Sequence, residues 1–341
     1  MPFYSCFGWD RVEFSGLLTP QEISFLADTP SLRTLQFERP VNTGNWPLME
    51  RLLFSRRPNV CLRAYQHGSR GCNVSFVKHL PSLQYLSLDC LQKVSGLEAL
   101  ETLPNLRHLA IGVNELESFD FLSRVSVGLK SLILGPTFSK KPDLSVLGRL
   151  EQLEELFIGG HLKGLPVLAS LPHLGKLRFS GLKSPNLNFL PGMQALWSLE
   201  FLLGGAEDFS AIAGVTKLKQ LEITWVRRLS DIEFISDCIN LQHLTLEKLR
   251  QVKLLPSLER LSELKRLTVI EMNGLECVDP IGAAPALEVL TGSAGKLEPE
   301  QFRLALQAPS LKAATIYFSS QKKAREFESI ARENGVSTAV T

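Results

Sequence analysis

The sequence predicts an α/β repeat solenoid: a curved horseshoe with a parallel β-sheet on its concave side, short 3-10 turns on its convex side and a capping helix near its C-terminal end. Three observations predict it. An L-x-x-L-x-L spacing recurs along most of the chain, the apolar residues between its copies recur every three positions, and residues 320–335 carry the periodicity of a full α-helix.

The stretch LEELFIGG at 153–160 contains one copy, Leu153/Leu156/Ile158. Others stand at Leu83/Leu86/Leu88, Leu106/Leu109/Ile111, Leu129/Leu132/Leu134, Leu174/Leu177/Phe179, Leu196/Leu199/Phe201, Leu218/Leu221/Ile223, Leu241/Leu244/Leu246 and Leu264/Leu267/Val269. From Leu83 to Leu264 the steps are 23, 23, 24, 21, 22, 22, 23 and 23 residues. Weaker copies lie at Trp9/Val12/Phe14, Leu32/Leu35/Phe37, Leu287/Leu290 and Leu311/Ala314/Ile316. One short strand with its return segment cannot bury its own apolar side, whereas stacked copies share a continuous core.

The return segments fit this scheme. Leu97/Leu100/Leu103, Leu144/Leu147/Leu150, Leu165/Leu168/Leu171 and Phe209/Ile212/Val215 recur every three residues, which suits 3-10 turns better than α-helices. Asp143, Asp208, Asp231 and Asp279 stand where such turns begin, as capping residues. Proline precedes the first strand position by two residues at Pro30, Pro58, Pro81, Pro104, Pro172, Pro285 and Pro309. It cannot continue a helix, and it pushes its predecessor toward extended backbone.

A period of about 20–29 residues with this spacing is the signature of leucine-rich repeats, and the chain resembles that family over nearly its whole length. The units of NELESFDFL (114–122), PDLSVLGRL (142–150) and LSDIEFI (229–235) resemble the short, internalin-like class. The family's asparagine, three residues after the last strand leucine, is matched at Asn114, while Leu91, Leu182 and Leu249 stand there in other units. A single solenoid domain over 1–341 is expected, with irregular repeats over 1–80, regular repeats over 81–310 and a cap over 311–341.

At the N-terminal end, Thr19-Pro20-Gln21-Glu22 is a capping-box pattern opening a helix through Leu26. The step from Leu32 to Val60 is 28 residues, which places an insertion at 39–58. In the frame starting at Val60, Arg63 falls on a leucine position. At the other end Ala324, Phe327, Ile330 and Ala331 share one helix face, Gly335 ends the helix, and residues 336–340 can add a strand.

Composition narrows the function classes. Hydrophobic residues make up 44% of 341, ample for a core, and the net charge is only +2. That is not the basic balance of a general nucleic-acid binder. No apolar run is long enough to span a membrane, and MPFYSCFGWDRVEF lacks the pattern of a secretory signal. Cys6, Cys61, Cys72, Cys90, Cys238 and Cys277 form no C-x-x-C pair, so no metal or cofactor is expected and a reduced, cytoplasmic, monomeric protein is.

Strand side chains alternate, so the residues between the leucines face outward. Ile133 and Phe157 become outward neighbours roughly 5 Å apart on adjacent strands, with Trp197 two strands further on. Tyr85 and His108 belong to an adjoining column, and Arg178, Glu200 and Glu222 follow Phe157 in its own. Aromatic anchors among charges of both signs suit a protein partner. The expected function is therefore non-enzymatic protein binding by the concave face, through Tyr85, His108, Ile133, Phe157, Arg178, Trp197, Glu200 and Glu222. No catalytic constellation emerges: His108 and His243 fall six strands apart, and Cys90 lies beyond its strand's end. Gly159-Gly160 has no G-x-x-x-x-G-K-[ST] around it and no helix after it.

An alternative is an anionic ligand, whether nucleic acid, phosphorylated partner or lipid head group, bound at residues 51–78. That segment holds Arg51, Arg56, Arg57, Arg63, Arg70 and Lys78 and no acidic residue.

Overall fold

The computed structural model describes residues 4–6, 10–38, 45–65, 71–139 and 141–338. It divides into two compact units, Met1–Leu174 and Gly175–Thr341.

The first unit is built on strands β1 (Tyr4–Cys6), β2 (Arg11–Phe14), β3 (Thr34–Phe37), β4 (Cys61–Tyr65), β6 (Tyr85–Leu91), β8 (His108–Val113), β9 (Ser131–Leu134) and β10 (Glu155–Gly159), joined in that order. β1 runs antiparallel to β2, and every later pair is parallel. β5 (Gly71–Asn73) and β7 (Lys93–Ser95) form a separate two-stranded parallel ladder. The leucine positions stack in register, Leu86 beside Leu109, Leu109 beside Leu132 and Leu132 beside Leu156, and all four are buried. Leu88, Ile111, Leu134 and Ile158 form the next buried row.

Helix α1 (Pro20–Ala27) opens with the expected reciprocal cap: Thr19 Oγ accepts from the Glu22 amide, and the Thr19 amide donates to Glu22 Oε2 at 2.8 Å. Of the insertion, residues 39–44 lie outside the described residues. The rest is α2 (Trp46–Met49) followed by a π-turn over Glu50–Phe54. It carries Trp46 into an aromatic cluster, stacked on Phe76 at 4.4 Å and edge-on to Phe14 at 6.2 Å.

Arg63 is not a failed leucine. Leu62 pairs with Leu35 and Leu86, and Ala64 with Phe37 and Leu88, so Leu62 and Ala64 are the inward residues and Arg63 points outward. The frame drawn from Val60 was one residue out, because this repeat has one residue fewer between its first two inward positions.

Among the described residues the second unit has seven parallel strands: β11 (Lys176–Leu182), β12 (Ser198–Gly204), β13 (Gln220–Val226), β14 (His243–Glu247), β15 (Arg266–Ile270), β16 (Val289–Ser293) and β17 (Ala313–Tyr317). Helix α3 (Gln321–Glu333) closes it, capped by Ser320 and burying Phe327, Ile330 and Ala331. Phe327 meets Phe302 and Phe318 at 5.7 and 5.5 Å. Residues after the helix contribute a single parallel bridge, Ser337 to Ala313, and 339–341 lie outside the described residues.

The return segments are 3-10 turns at Leu97–Thr102, Asp120–Arg124, Leu144–Arg149 and Leu165–Ser170 in the first unit. In the second they include Ser210–Gly214, Glu233–Asp237 and Asp279–Ala283. Asp143, Asp208 and Asp231 accept from the amide two residues on, at 2.8–2.9 Å. Asp279 does not take that role; its own amide donates to Cys277 Sγ, so the cysteine fills the position. Asn73, Ser118 and Asn186 fill it elsewhere.

Gly159 and Gly160 serve backbone geometry in two different ways. A Cβ on Gly159 would lie 2.7 Å from the Pro136 nitrogen. Gly160 has room for one but sits at φ +72°, the left-handed region.

Candidate protein-binding surfaces

In the first unit, the outward column at mid-strand reads Glu13, Gln36, Arg63, Ser87, Ala110, Ile133, Phe157. Its two ends differ in chemistry. Arg63 forks onto Asp89 with Nη2 to Oδ1 at 2.8 Å, and its Nη1 donates to Gln36, which in turn donates to Glu13. The Tyr65 hydroxyl donates to the same Glu13 carboxylate at 2.7 Å. Burial and that carboxylate push the Tyr65 phenol up to about 12.

Ala110, Ile133 and Phe157 form the apolar end. Ile133 is 44% exposed and Phe157 half-buried beside it, in direct register on β9 and β10. One column toward the strand starts, Tyr85 and His108 lie face to face at 4.1 Å and 9°. Burial in this stack holds the imidazole below its ordinary value, against the pull of Glu155 and Glu154. Glu154 is bridged by Lys130 at 2.6 Å.

In the second unit, the equivalent column reads Arg178, Glu200, Glu222, Thr245, Thr268, Thr291, Thr315. Arg178 Nε meets Glu200 Oε2 at 2.5 Å. Glu222 stands directly opposite Glu200, an arrangement of like charges that destabilises a sheet. Partial burial first, and Glu200 second, raise the Glu222 carboxyl above its ordinary value. Trp197 is not in this column. It precedes β12, lies across Gly175, is 37% exposed and has Lys176 Nζ 5.2 Å from its ring. It forms one wall of an open groove with Lys219, Asn240 and Gln242.

The described basic residues of 51–78 stand on different elements and have different partners. Arg56 pairs with Asp28 at 2.5 Å. Arg57 donates to the carbonyls of Ala27, Thr29 and Leu32, closing the end of α1. Arg63 belongs to the strand face, Arg51 is exposed on the π-turn and Lys78 on the following 3-10 turn. Arg70 lies outside the described residues. Among the described residues no group of three or more His, Cys, Asp or Glu is placed to hold a metal ion, and no helix is long and apolar enough to cross a membrane.

One surface was not anticipated from the sequence. Two residues past the last inward position of β10 through β15, the chain turns through the left-handed region. Gly181 does so in β11, and in the next four repeats the residue is not glycine: Leu203 (φ 57°), Trp225 (56°), Lys248 (56°) and Glu271 (50°). The ladder skips these residues, pairing Leu202 with Thr224 and Gly204 with Val226. Leu203 and Trp225 therefore project as exposed neighbours, at 46% and 38%. The signal for it lay in a fixed offset from the leucine frame, where glycine gives way to Leu, Trp, Lys and Glu in succession.

No protein-family model matches the chain, and no curated protein matches it. Solved structures do. The chain is similar to an internalin (inlF) from Listeria monocytogenes str. 4b F2365, with 17% identity, a TM-score of 0.57, and coverage of 97% of this chain and 86% of that one. It is also similar to TLR13 in its complex with ssRNA13, with 17% identity and a TM-score of 0.52, covering 90% of this chain and 57% of that one.

Proposed function

From the leucine-rich repeat fold of this chain, we propose that it is a non-enzymatic, cytoplasmic protein-binding module that presents a partner with the outward face of its strands. The observation that carries the reading is the apolar strip Ala110–Ile133–Phe157, set beside the Tyr85–His108 stack with charged residues around it. Exposed apolar side chains on a rigid sheet supply buried area at low entropic cost, and the surrounding charges orient the partner. Arg178, Glu200 and Glu222 offer the second unit's outward face the same kind of orienting charge, and Trp197 an aromatic wall. A repeat scaffold supports many roles, so these side chains rather than the fold carry the argument.

The test is affinity capture from native lysate with wild type, Ile133→Ser/Phe157→Ser and Trp197→Ala. Both variants change outward side chains and are checked for native circular dichroism. A partner that is recovered by wild type and lost by at least one variant supports the reading. Recovery unchanged by both removes it.

A further inference from the structure

We infer that the rim at the C-terminal ends of β12–β14, formed by Leu203, Trp225, Arg227 and Arg250, is a docking surface for a short acidic peptide segment carrying apolar side chains. This surface is separate from the outward strand columns and does not require them to bind anything.

The positive φ at Leu203 and Trp225 turns two large apolar side chains away from the core and into solvent, one repeat apart. A bulky residue rarely adopts this backbone, and glycine takes the same position in β11. Beside the indole lie two cations: Lys248 Nζ at 5.4 Å and Arg227 Cζ at 5.9 Å from the ring centre. Their circumstances differ. Lys248 is neutralised by Glu247 at 3.2 Å and Glu271 at 3.5 Å. Likewise Arg228 is bridged to Glu207, and Lys253 to Glu276. Arg227 and Arg250 occupy equivalent places four residues past the inward Ile223 and Leu246. Both are exposed, and neither meets a carboxylate among the described residues.

The rim thus presents an apolar pair and two arginines without a carboxylate partner among the described residues, carried on adjacent repeats whose strands lie roughly 5 Å apart. Carboxylates suit the guanidiniums, and an apolar side chain between them suits Leu203 and the free surface of the indole. A nucleic-acid strand fits less well. The cations of the same turns, Arg228, Lys248 and Lys253, are already taken by Glu207, Glu247, Glu271 and Glu276, so a continuous run of phosphates would meet these acids, whereas a peptide can place its acids only where the arginines stand.

The test uses the full chain and fluorescence anisotropy with three labelled probes: a peptide alternating aspartate with leucine and phenylalanine, the same peptide with asparagine for aspartate, and a single-stranded oligouridylate. Saturable binding of the acidic peptide is expected, weakened at least tenfold in the asparagine peptide and at least fivefold by Arg227→Ala, Arg250→Ala and Trp225→Gly. Lys322→Ala, exposed on α3, leaves it unchanged. Trp225→Gly remains folded, because glycine accepts the left-handed backbone, and its melting temperature is equal to or above wild type. The inference is overturned if the acidic peptide does not bind, if these rim variants leave its affinity unaltered, or if oligouridylate binds the same residues more tightly. Loss of the Ile133/Phe157 reading would leave all of these outcomes untouched.

Discussion

Replacing Arg57 separates a structural basic residue from a ligand-binding one. Its guanidinium donates from Nη1 to Ala27 O at 3.2 Å and Thr29 O at 2.9 Å, and from Nη2 to Leu32 O at 2.9 Å. These carbonyls end α1 and lead into β3; the helix has no further amides to offer Ala27 O, whereas Thr29 O also accepts from the Leu32 amide at 3.2 Å. A hydrogen bond from a charged donor contributes about 1.5–3 kcal/mol. The side chain is half exposed, and released carbonyls recover part of this from water, so Arg57→Leu costs about 2–4 kcal/mol rather than the threefold sum. For a unit of this size that is a fall of roughly 5–15 °C in melting temperature. Arg57→Lys, reaching one carbonyl at a time, falls in between. Thermal unfolding by circular dichroism, with urea titration of the same samples, measures both. A melting temperature within about 1 °C of wild type, together with lost retention on heparin at low salt, would refute the reasoning and return Arg57 to the anionic-ligand alternative.

The glycines of LEELFIGG separate sterics from strain: Gly159→Ala loses about 1–3 kcal/mol by overpacking against Pro136, and Gly160→Ala about 1 kcal/mol through its positive φ, both read from urea midpoints. His108 titrates by NMR with a midpoint below its ordinary value of 6.5, because burial against Tyr85 opposes its charge. The unfolded chain then binds the extra proton first, so stability falls as pH drops from 6.5 through the folded midpoint, and His108→Phe flattens that loss while keeping the stack. Glu222 has the opposite sign: its folded carboxyl sits above 4.5, the folded state holds the proton longer, and stability declines as pH rises from 4.5 through the folded value. Glu222→Gln is accordingly more stable than wild type at neutral pH, and the gain disappears once both states are protonated; a gain that persists at pH 3 would contradict this.

The strand register was legible almost throughout, because one shifted residue would expose a whole leucine row, and no other alignment keeps Leu86, Leu109, Leu132 and Leu156 buried together. That same row fixed which residues face outward, Ile133 and Phe157 included. It failed at β4, where a shortened repeat gave no second leucine to anchor the frame and Arg63 looked misplaced. The turn caps were legible at Asp143, Asp208 and Asp231 but not at Asn73, Ser118, Asn186 and Cys277, since one job is done by four side-chain chemistries. The basic segment is hard to read for a different reason. Charge density along a sequence does not reveal that Arg57 turns inward to carbonyls while Arg63 lies on a strand face with an acid beside it.

The left-handed column of the second unit is where sequence and fold disagree most usefully. The turn itself asks only for glycine, as Gly181 supplies. Lys248 and Glu271 have a local reason to stand there, since each reaches the other across adjacent repeats at 3.5 Å. Leu203 has no ion pair of this kind, and the Trp225 ring has only Lys248 and Arg227 at 5.4 and 5.9 Å, contacts that are weak at an exposed site. Both residues hold an unfavourable backbone, about 1–2 kcal/mol each relative to glycine, and leave apolar surface in water. A fold under no other demand would have glycine at both. If Trp225→Gly raises stability and Leu203→Gly does the same, the two side chains are maintained against the fold, and strain at this rim marks an interaction site. If both substitutions lower stability, the indole and the leucine are packing elements after all, and the rim loses its claim to a partner.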